Sequence, residues 1–205
     1  MTQRVAVYVD GFNLYFGMHE KFERRYLWLD LRALAQSFLQ GDQRLIKVVY
    51  FTARVRNSPS AQANQGAYLA ALKAHGGLDI VEGRFQHKRR TCLNCKHGYD
   101  AYEEKETDVS LATALIEDAV NGVYDRAILV TADSDLGPAV RAVRRLRPEV
   151  GLVAAFPPAR RSGDLKKQLH GVFAIGRDKL RDAQLPAEVV DVASGRKYAR
   201  PGHWL

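Results

Sequence analysis

Cysteine is almost missing from this chain: 205 residues contain two, and they stand three positions apart. A pair so placed is no disulfide framework, which excludes the small secreted scaffolds held together by cross-links. Long apolar runs are missing as well. No stretch of about 18 apolar residues occurs, so no membrane-spanning helix is expected. The first residues enter a strand pattern at Arg4 without the charged, apolar and small-residue succession of a signal peptide, which points to the cytoplasm. Internal repeats and low-complexity linkers are also lacking. Acid runs short in one region: residues 136–205 hold 6 Asp/Glu against 14 Lys/Arg, whereas residues 1–135 hold 17 of each. The net charge of +8 therefore lies wholly in the last third. Such a basic surface suggests a polyanionic partner, nucleic acid first. A solvated basic face that aids solubility is the plainer alternative.

What is present is an ordinary globular composition, 46% hydrophobic and 26% charged, at a length that suits one domain with a sizeable core. Residues 126–130, Arg-Ala-Ile-Leu-Val, read as a buried strand. Thr131-Ala-Asp-Ser-Asp135 follows, and then Leu136, Val140 and Val143 recur at helical spacing. Asp133 and Asp135 thus fall where a strand gives way to a helix, the crevice where open α/β sheets bind ligands. Carboxylates so close repel each other unless a cation lies between them or they share a proton. Oxygen ligands suit Mg²⁺ or Mn²⁺. An Asp that simply caps the helix would account for the same residues.

The same arrangement opens the chain. Residues 4–10 form an apolar strand that ends in Asp10, with Gly11 allowing a sharp turn and Asn13 three residues on. Residues 29–39 read as a helix, 44–52 as a strand, 61–75 as a helix stopped by Gly76-Gly77, and 78–85 as a third strand. Strands and helices alternate, as in a parallel sheet flanked by helices. Near residues 109–120 lies another helix. Thr107 reads as its N-cap, and Asp108 lines up with Leu111, Ala112, Leu115 and Ala119 on the face turned to the sheet. Glu117 and Asp118 are assigned to the opposite, solvated face. An acid on the inner face needs a partner, although a first-turn Asp also suits the helix dipole.

Residues 86–98 interrupt the alternation. Cys92 and Cys95 have the spacing of half a zinc site, and His87 and His97 would complete four ligands for a structural Zn²⁺. No second C-x₂-C pair is present, and a reduced polar loop is the plainer explanation of the same residues. Lys88, Arg89, Arg90 and Lys96 make the segment basic.

Three segments together resemble the signature of NYN domains: the strand with Asp10-Gly-Phe-Asn13, Lys105-Glu-Thr-Asp108-Val at a helix start, and the strand with Thr131-Ala-Asp-Ser-Asp135. NYN domains belong to the PIN-like nuclease superfamily, and the pattern is most like the bacterial branch of LabA-type proteins. Order and spacing hold across residues 4–182. The resemblance implies a three-layer α/β/α sandwich with a mostly parallel central sheet, covering residues 1–182, and a C-terminal extension over 183–205. It implies a Mg²⁺- or Mn²⁺-dependent ribonuclease site built on Asp10, Asp108, Asp133 and Asp135, with Asn13, Thr131 and Ser134 in support. It implies products with a 5′-phosphate and a 3′-hydroxyl. Arg141, Arg144, Arg145, Arg160 and Arg161 would then track the RNA backbone. Phe156 would stack on a base or pack in the core. An RNA-binding module with little turnover is the alternative. A HAD-type phosphatase fits poorly, because that chemistry wants a second Asp at position 12, where this chain has Phe.

The cysteine segment yields the first prediction. Protein purified without chelator is expected to carry about one zinc per chain by elemental analysis, lost in the Cys92→Ser/Cys95→Ser variant. Zinc-free starting protein would remove the knuckle from consideration.

Overall fold

A computed structural model describes residues 2–204 apart from positions 57 and 92, with the side chains of 87 and 99–104 also outside the description. The chain runs β1 (Gln3–Asp10), α1 (Gly11–Phe22), α2 (Leu31–Gln36), β2 (Gln43–Ala53), α3 (Pro59–His75), β3 (Asp79–Thr91), β4 (Gly98–Lys105), α4 (Thr107–Val120) and β5 (Arg126–Val130). It continues with α5 (Gly137–Leu146), β6 (Gly151–Phe156), α6 (Gly163–Gln168), β7 (Gly171–Ala174), α7 (Arg177–Asp182), β8 (Glu188–Val190) and β9 (Lys197–Ala199). A seven-stranded sheet has the order β4-β3-β2-β1-β5-β6-β7. Every pairing in it is parallel except β3 with β4. This is the expected α/β sandwich. No helix among the described residues is long and apolar enough to cross a membrane.

The two-residue period of β1 sorts the core into layers. Val5, Val7 and Val9 point to one side, where they meet Leu14 and Met18 of α1, Leu31 and Leu34 of α2, Leu69 and Leu72 of α3 and Leu180 of α7. Ala6 and Tyr8 point to the other, against Leu111 and Leu115 of α4, Val140 and Val143 of α5 and Leu165 of α6. Both faces of β1 are buried, which is why it reads as a continuous apolar run. From β1 the chain winds outward to β2 and β3, then returns across α4 to β5 on the other flank of β1. The winding therefore reverses between the carboxyl ends of β1 and β5, the place where such sheets take ligands.

Residues 86–98 are not a loop inserted between sheet elements. β3 pairs with β2 over residues 79–83 and then runs on, pairing with β4 from Arg84↔Lys105 to Thr91↔Gly98. The result is a hairpin that extends beyond the carboxyl end of β2. The N-cap of α4 also differs from expectation. It is Glu106, in the left-handed region at φ 80°, while Thr107 is the buried first helical residue. The left-handed turn lets β4 pass into α4 without a linker.

The last residues are stitched to the body. Leu29 pairs with Gln184, the Trp28 indole N–H donates to the Pro186 carbonyl at 2.7 Å, and the Leu185 amide donates to Trp28 at 3.0 Å. Trp204 meets the rings of Trp28 and Tyr68 edge-on, with centroids at 6.3 and 6.1 Å. Removing a ring this well packed is expected to be expensive. Trp204→Ala should lower unfolding stability by about 3–5 kcal/mol, read from the urea midpoint at unchanged slope. Val192→Ala, at a side chain almost wholly exposed, should leave it where it was.

Candidate metal centre

Asp10 ends β1 on the same side of the strand as Ala6 and Tyr8, so its carboxylate lies on the α4 side of the sheet. Val9 pairs with Val130, which brings the ends of β1 and β5 level. The Thr131 hydroxyl donates to one Asp10 oxygen at 3.0 Å, and the Asn13 backbone N–H donates to the other at 3.0 Å. The Asp133 N–H donates to the same Thr131 hydroxyl oxygen at 3.0 Å. Across the gap, the Ala132 N–H donates to the Asn13 side-chain oxygen at 3.0 Å. Two strand ends are thereby laced together by Thr131 and Asn13, which fix where Asp10 and Asp133 point.

α4 supplies the third acid. Its axis is pinned to the sheet by Asp118, which accepts from the Tyr8 hydroxyl at 2.6 Å and pairs with Lys47 of β2 at 2.7 Å. Asp118 is buried, so its assignment to a solvated face was wrong. It lies seven residues after Leu111 and three after Leu115, on the same inward stripe. Burial and the Asp118 hydrogen bond together push the Tyr8 hydroxyl's pKa far up, so it stays a donor. With α4 held this way, Asp108 at its start joins Asp10 and Asp133. One oxygen from each of the three lies within 4.8 Å of the others. Asp135 is not in this group. It is exposed in the 3₁₀ turn Ser134–Leu136, and its backbone N–H donates to Asp133 at 2.9 Å. Ser134 is exposed in the same turn.

Asp10 and Asp133 are N-caps as well as members of the trio. The capping explanation and the site explanation are therefore compatible. Burial raises the Asp10 pKa; hydrogen bonds from Asn13, Thr131 and Phe12 oppose the rise, and the nearby Asp133 charge adds to it. A small, hard cation with ligand distances of about 2.0–2.6 Å brings its oxygens within roughly this spacing. An all-oxygen set suits Mg²⁺ or Mn²⁺, and the acidic trio could hold such an ion.

The chain matches the NYN domain over residues 4–176. This chain is a member of the NYN domain family. NYN domains are nuclease-like, and an acidic trio of this kind could bind a metal. The 6-hydroxy-3-succinoylpyridine 3-monooxygenase HspA of Pseudomonas putida is 30% identical to this NYN chain, over 98% of this chain and 75% of HspA. A crystal structure of a Vibrio parahaemolyticus protein of unknown function superposes with a TM-score of 0.59 at 20% identity, covering 86% of this chain and 95% of that one. That likeness concerns the fold alone.

The other sequence-derived candidates are spread more widely. Arg141 donates to the Gln168 side chain at 2.7 Å and Arg144 to the Gln168 carbonyl at 2.8 Å, so both help dock α6. Arg144 and Arg145 lie in the last turn of α5, roughly 11 Å along its axis from the end near Asp133. Arg160 follows β6 and pairs with Glu20 of α1 at 3.0 Å, and Arg161 beside it is exposed. Phe156 is a core residue of the α4–α6 layer and not a stacking surface. Cys95 and His97 are exposed between β3 and β4, with Cys95 a free thiol. Cys92 and the His87 side chain lie outside the described residues. The His87 backbone stands opposite Tyr102, four rungs from the Thr91–Gly98 pair, or about 13 Å along the strand.

The raised Asp10 pKa fixes the sign of a test. Such a carboxyl supports the fold fully below its unfolded value of 3.8, and the support is lost as pH rises through the higher folded value. Metal-free Asp10→Asn protein should therefore be more stable than the parent at neutral pH, with the gap closing towards pH 3.8. Added Mn²⁺ should raise the melting temperature of the parent and leave the variant unmoved. Thermal denaturation across pH, with and without Mn²⁺, reads both.

Proposed function

We propose that this NYN protein is a divalent-metal-dependent ribonuclease that hydrolyses phosphodiester bonds. The observation that carries the reading is the convergence of the Asp10, Asp108 and Asp133 carboxylates at the point where the sheet reverses its winding. These three acids would hold Mg²⁺ or Mn²⁺, and Asp135, in the turn after Asp133, would serve through a water. A cation held there would supply Lewis acidity, easing deprotonation of a water nucleophile near neutral pH and offsetting charge on the phosphate. The chain's own contribution is placement. Thr131 and Asn13 keep two carboxylates aimed at one point, and the Tyr8–Asp118–Lys47 contact holds the third. Arg160 and Arg161, and Arg141 near the start of α5, would steer the RNA backbone towards the acids.

HspA supplies a second reading, hydroxylation of a pyridine ring, because it is similar along almost the whole of this chain. The donor set favours the first. Iron sites that activate dioxygen commonly use two imidazoles with one carboxylate, whereas the trio here is three carboxylates.

The test is labelled RNA incubated with Mn²⁺ or Mg²⁺, with products checked for a 5′-phosphate. Asp133→Asn should abolish cleavage, and Thr131→Val, which removes a supporting hydroxyl, should lower it about 10- to 100-fold. RNA that is bound but never cut would leave the binding-module alternative standing. Cleavage at full rate in Asp10→Asn would overturn the assigned site. Oxygenation of 6-hydroxy-3-succinoylpyridine with a reductant and dioxygen, alongside RNA left intact, would favour the second reading.

A further inference from the structure

α1 is amphipathic in an unusual sense. Its inner face, Leu14 and Met18, is core. Its outer face carries aromatic rings where a surface helix ordinarily carries charge. Phe12, Tyr15, Phe16 and His19 fall on one side at three- and four-residue steps. Tyr15 is 38% exposed and Phe16 53%. The rings touch in series. Phe85 of β3 meets Phe12 edge-on at 6.0 Å, Phe12 and Phe16 stack at 6.2 Å and 24°, Tyr15 meets Phe16 at 5.3 Å, and His19 follows Tyr15 at 5.7 Å. The row starts two residues from Asp10, the N-cap of the same helix. Contiguous exposed aromatic surface of this kind marks a binding site more often than a packing accident.

The charge around the row says what the occupant carries. Beyond Phe85, residues 86–98 hold four Lys/Arg and no Asp/Glu, the acids of the hairpin, Asp100, Glu103 and Glu104, standing on the paired strand β4. On another side, Arg160 is tied to α1 through Glu20, with exposed Arg161 next in sequence. Flat rings bordered by cations, beside an acidic metal centre, match a ligand with flat bases on an anionic backbone.

We propose that Phe12, Tyr15 and Phe16 form a base-stacking platform that seats the unpaired nucleotides next to the scissile phosphate. This rests on the nuclease reading of the metal centre. In a duplex the base faces are buried against each other, so a platform of ring faces selects an unpaired strand. Backbone steering alone would accept paired RNA equally.

The test measures binding by the full chain of a labelled single-stranded RNA of about twelve nucleotides, in EDTA so that no turnover intervenes. The comparators are a duplex of the same sequence and a strand with abasic sites. Tyr15→Ser/Phe16→Ser should weaken single-strand binding roughly tenfold or more, leave duplex binding unchanged, and bind the abasic strand as the parent does. Tyr15→Leu/Phe16→Leu keeps the apolar bulk and removes the ring faces. It should show the same selective loss and serves if the Ser variant folds poorly. Equal single-strand affinity in parent and Leu variant overturns the platform while the nuclease reading stands. Equal loss on duplex and strand also overturns it. A parent that binds no RNA overturns both, and retention of a protein partner by the ring face in place of RNA counts against the platform.

Discussion

Crowding carboxylates is unfavourable, and much of this fold is arranged so that three of them can be crowded. Each acid comes from a different element: the end of β1, the turn after β5 and the first turn of α4. None of these elements alone would bring the charges together. The elements are held by contacts made away from the acids. The valines of β1 bury against α1–α3, and Tyr8 fastens β1 to α4 through Asp118. Close to the acids, Thr131 and Asn13 each use both a donor and an acceptor, and two of these bonds, Thr131 to Asp10 and Ala132 to Asn13, cross the gap between β1 and β5. Gly11 and Gly17 are where α1 comes close to neighbouring backbone: a Cβ on Gly11 would lie 2.6 Å from the Phe51 carbonyl oxygen, and one on Gly17 2.5 Å from that of Pro158. Both glycines therefore seat α1 where Asn13 can reach the opposite strand.

The parts of the sequence that could be read were those where side-chain pattern and backbone agree. β1 and β5 are short and apolar, an acid ends the first and follows the second within three residues, and the structure places them side by side. Asp108 was legible because its neighbours at helical steps are leucine and alanine. Asp118 followed the same stripe and was misread because its side chain is polar. Its partners, Tyr8 and Lys47, are far away in sequence, and local spacing says nothing of them. The β3–β4 hairpin was missed for a different reason. Past Phe85 its residues are basic and polar, without the alternation that marks a half-buried strand, because pairing to a partner strand rather than burial holds it. Thr107 looked like a cap by residue type, and a left-handed Glu106 took that place. The aromatic face of α1 was visible as Phe-x-x-Tyr-Phe-x-x-His, a spacing that a reading focused on acids passes over.

The basic residues show how composition differs from placement. All of the net charge lies after the TADSD turn, yet it does not form one patch. Some of it docks α6 through Arg141 and Arg144, some pairs with α1 through Arg160, and some sits on the far end of α5. The hairpin, which comes from the charge-neutral part of the chain, brings four cations and no acid over residues 86–98, with Asp100, Glu103 and Glu104 on the paired strand. A count by region located the excess but not the surface a polyanion would meet.

The aromatic strap over Trp28 has a consequence for the order in which the chain can mature. Trp28 is made well before its partners: its indole N–H is satisfied by Pro186, 158 residues on, and its ring by Trp204. During synthesis the α1–α3 layer therefore waits, with an aromatic surface uncovered, until residues around 204 have left the ribosome. Nascent chains that already contain both β1 and β5 would hold the acids near one another before the layer that braces them is sealed. The carboxylates would then gather in a looser scaffold, and the emergence of residues 184–204 would decide when the layer beside them becomes rigid.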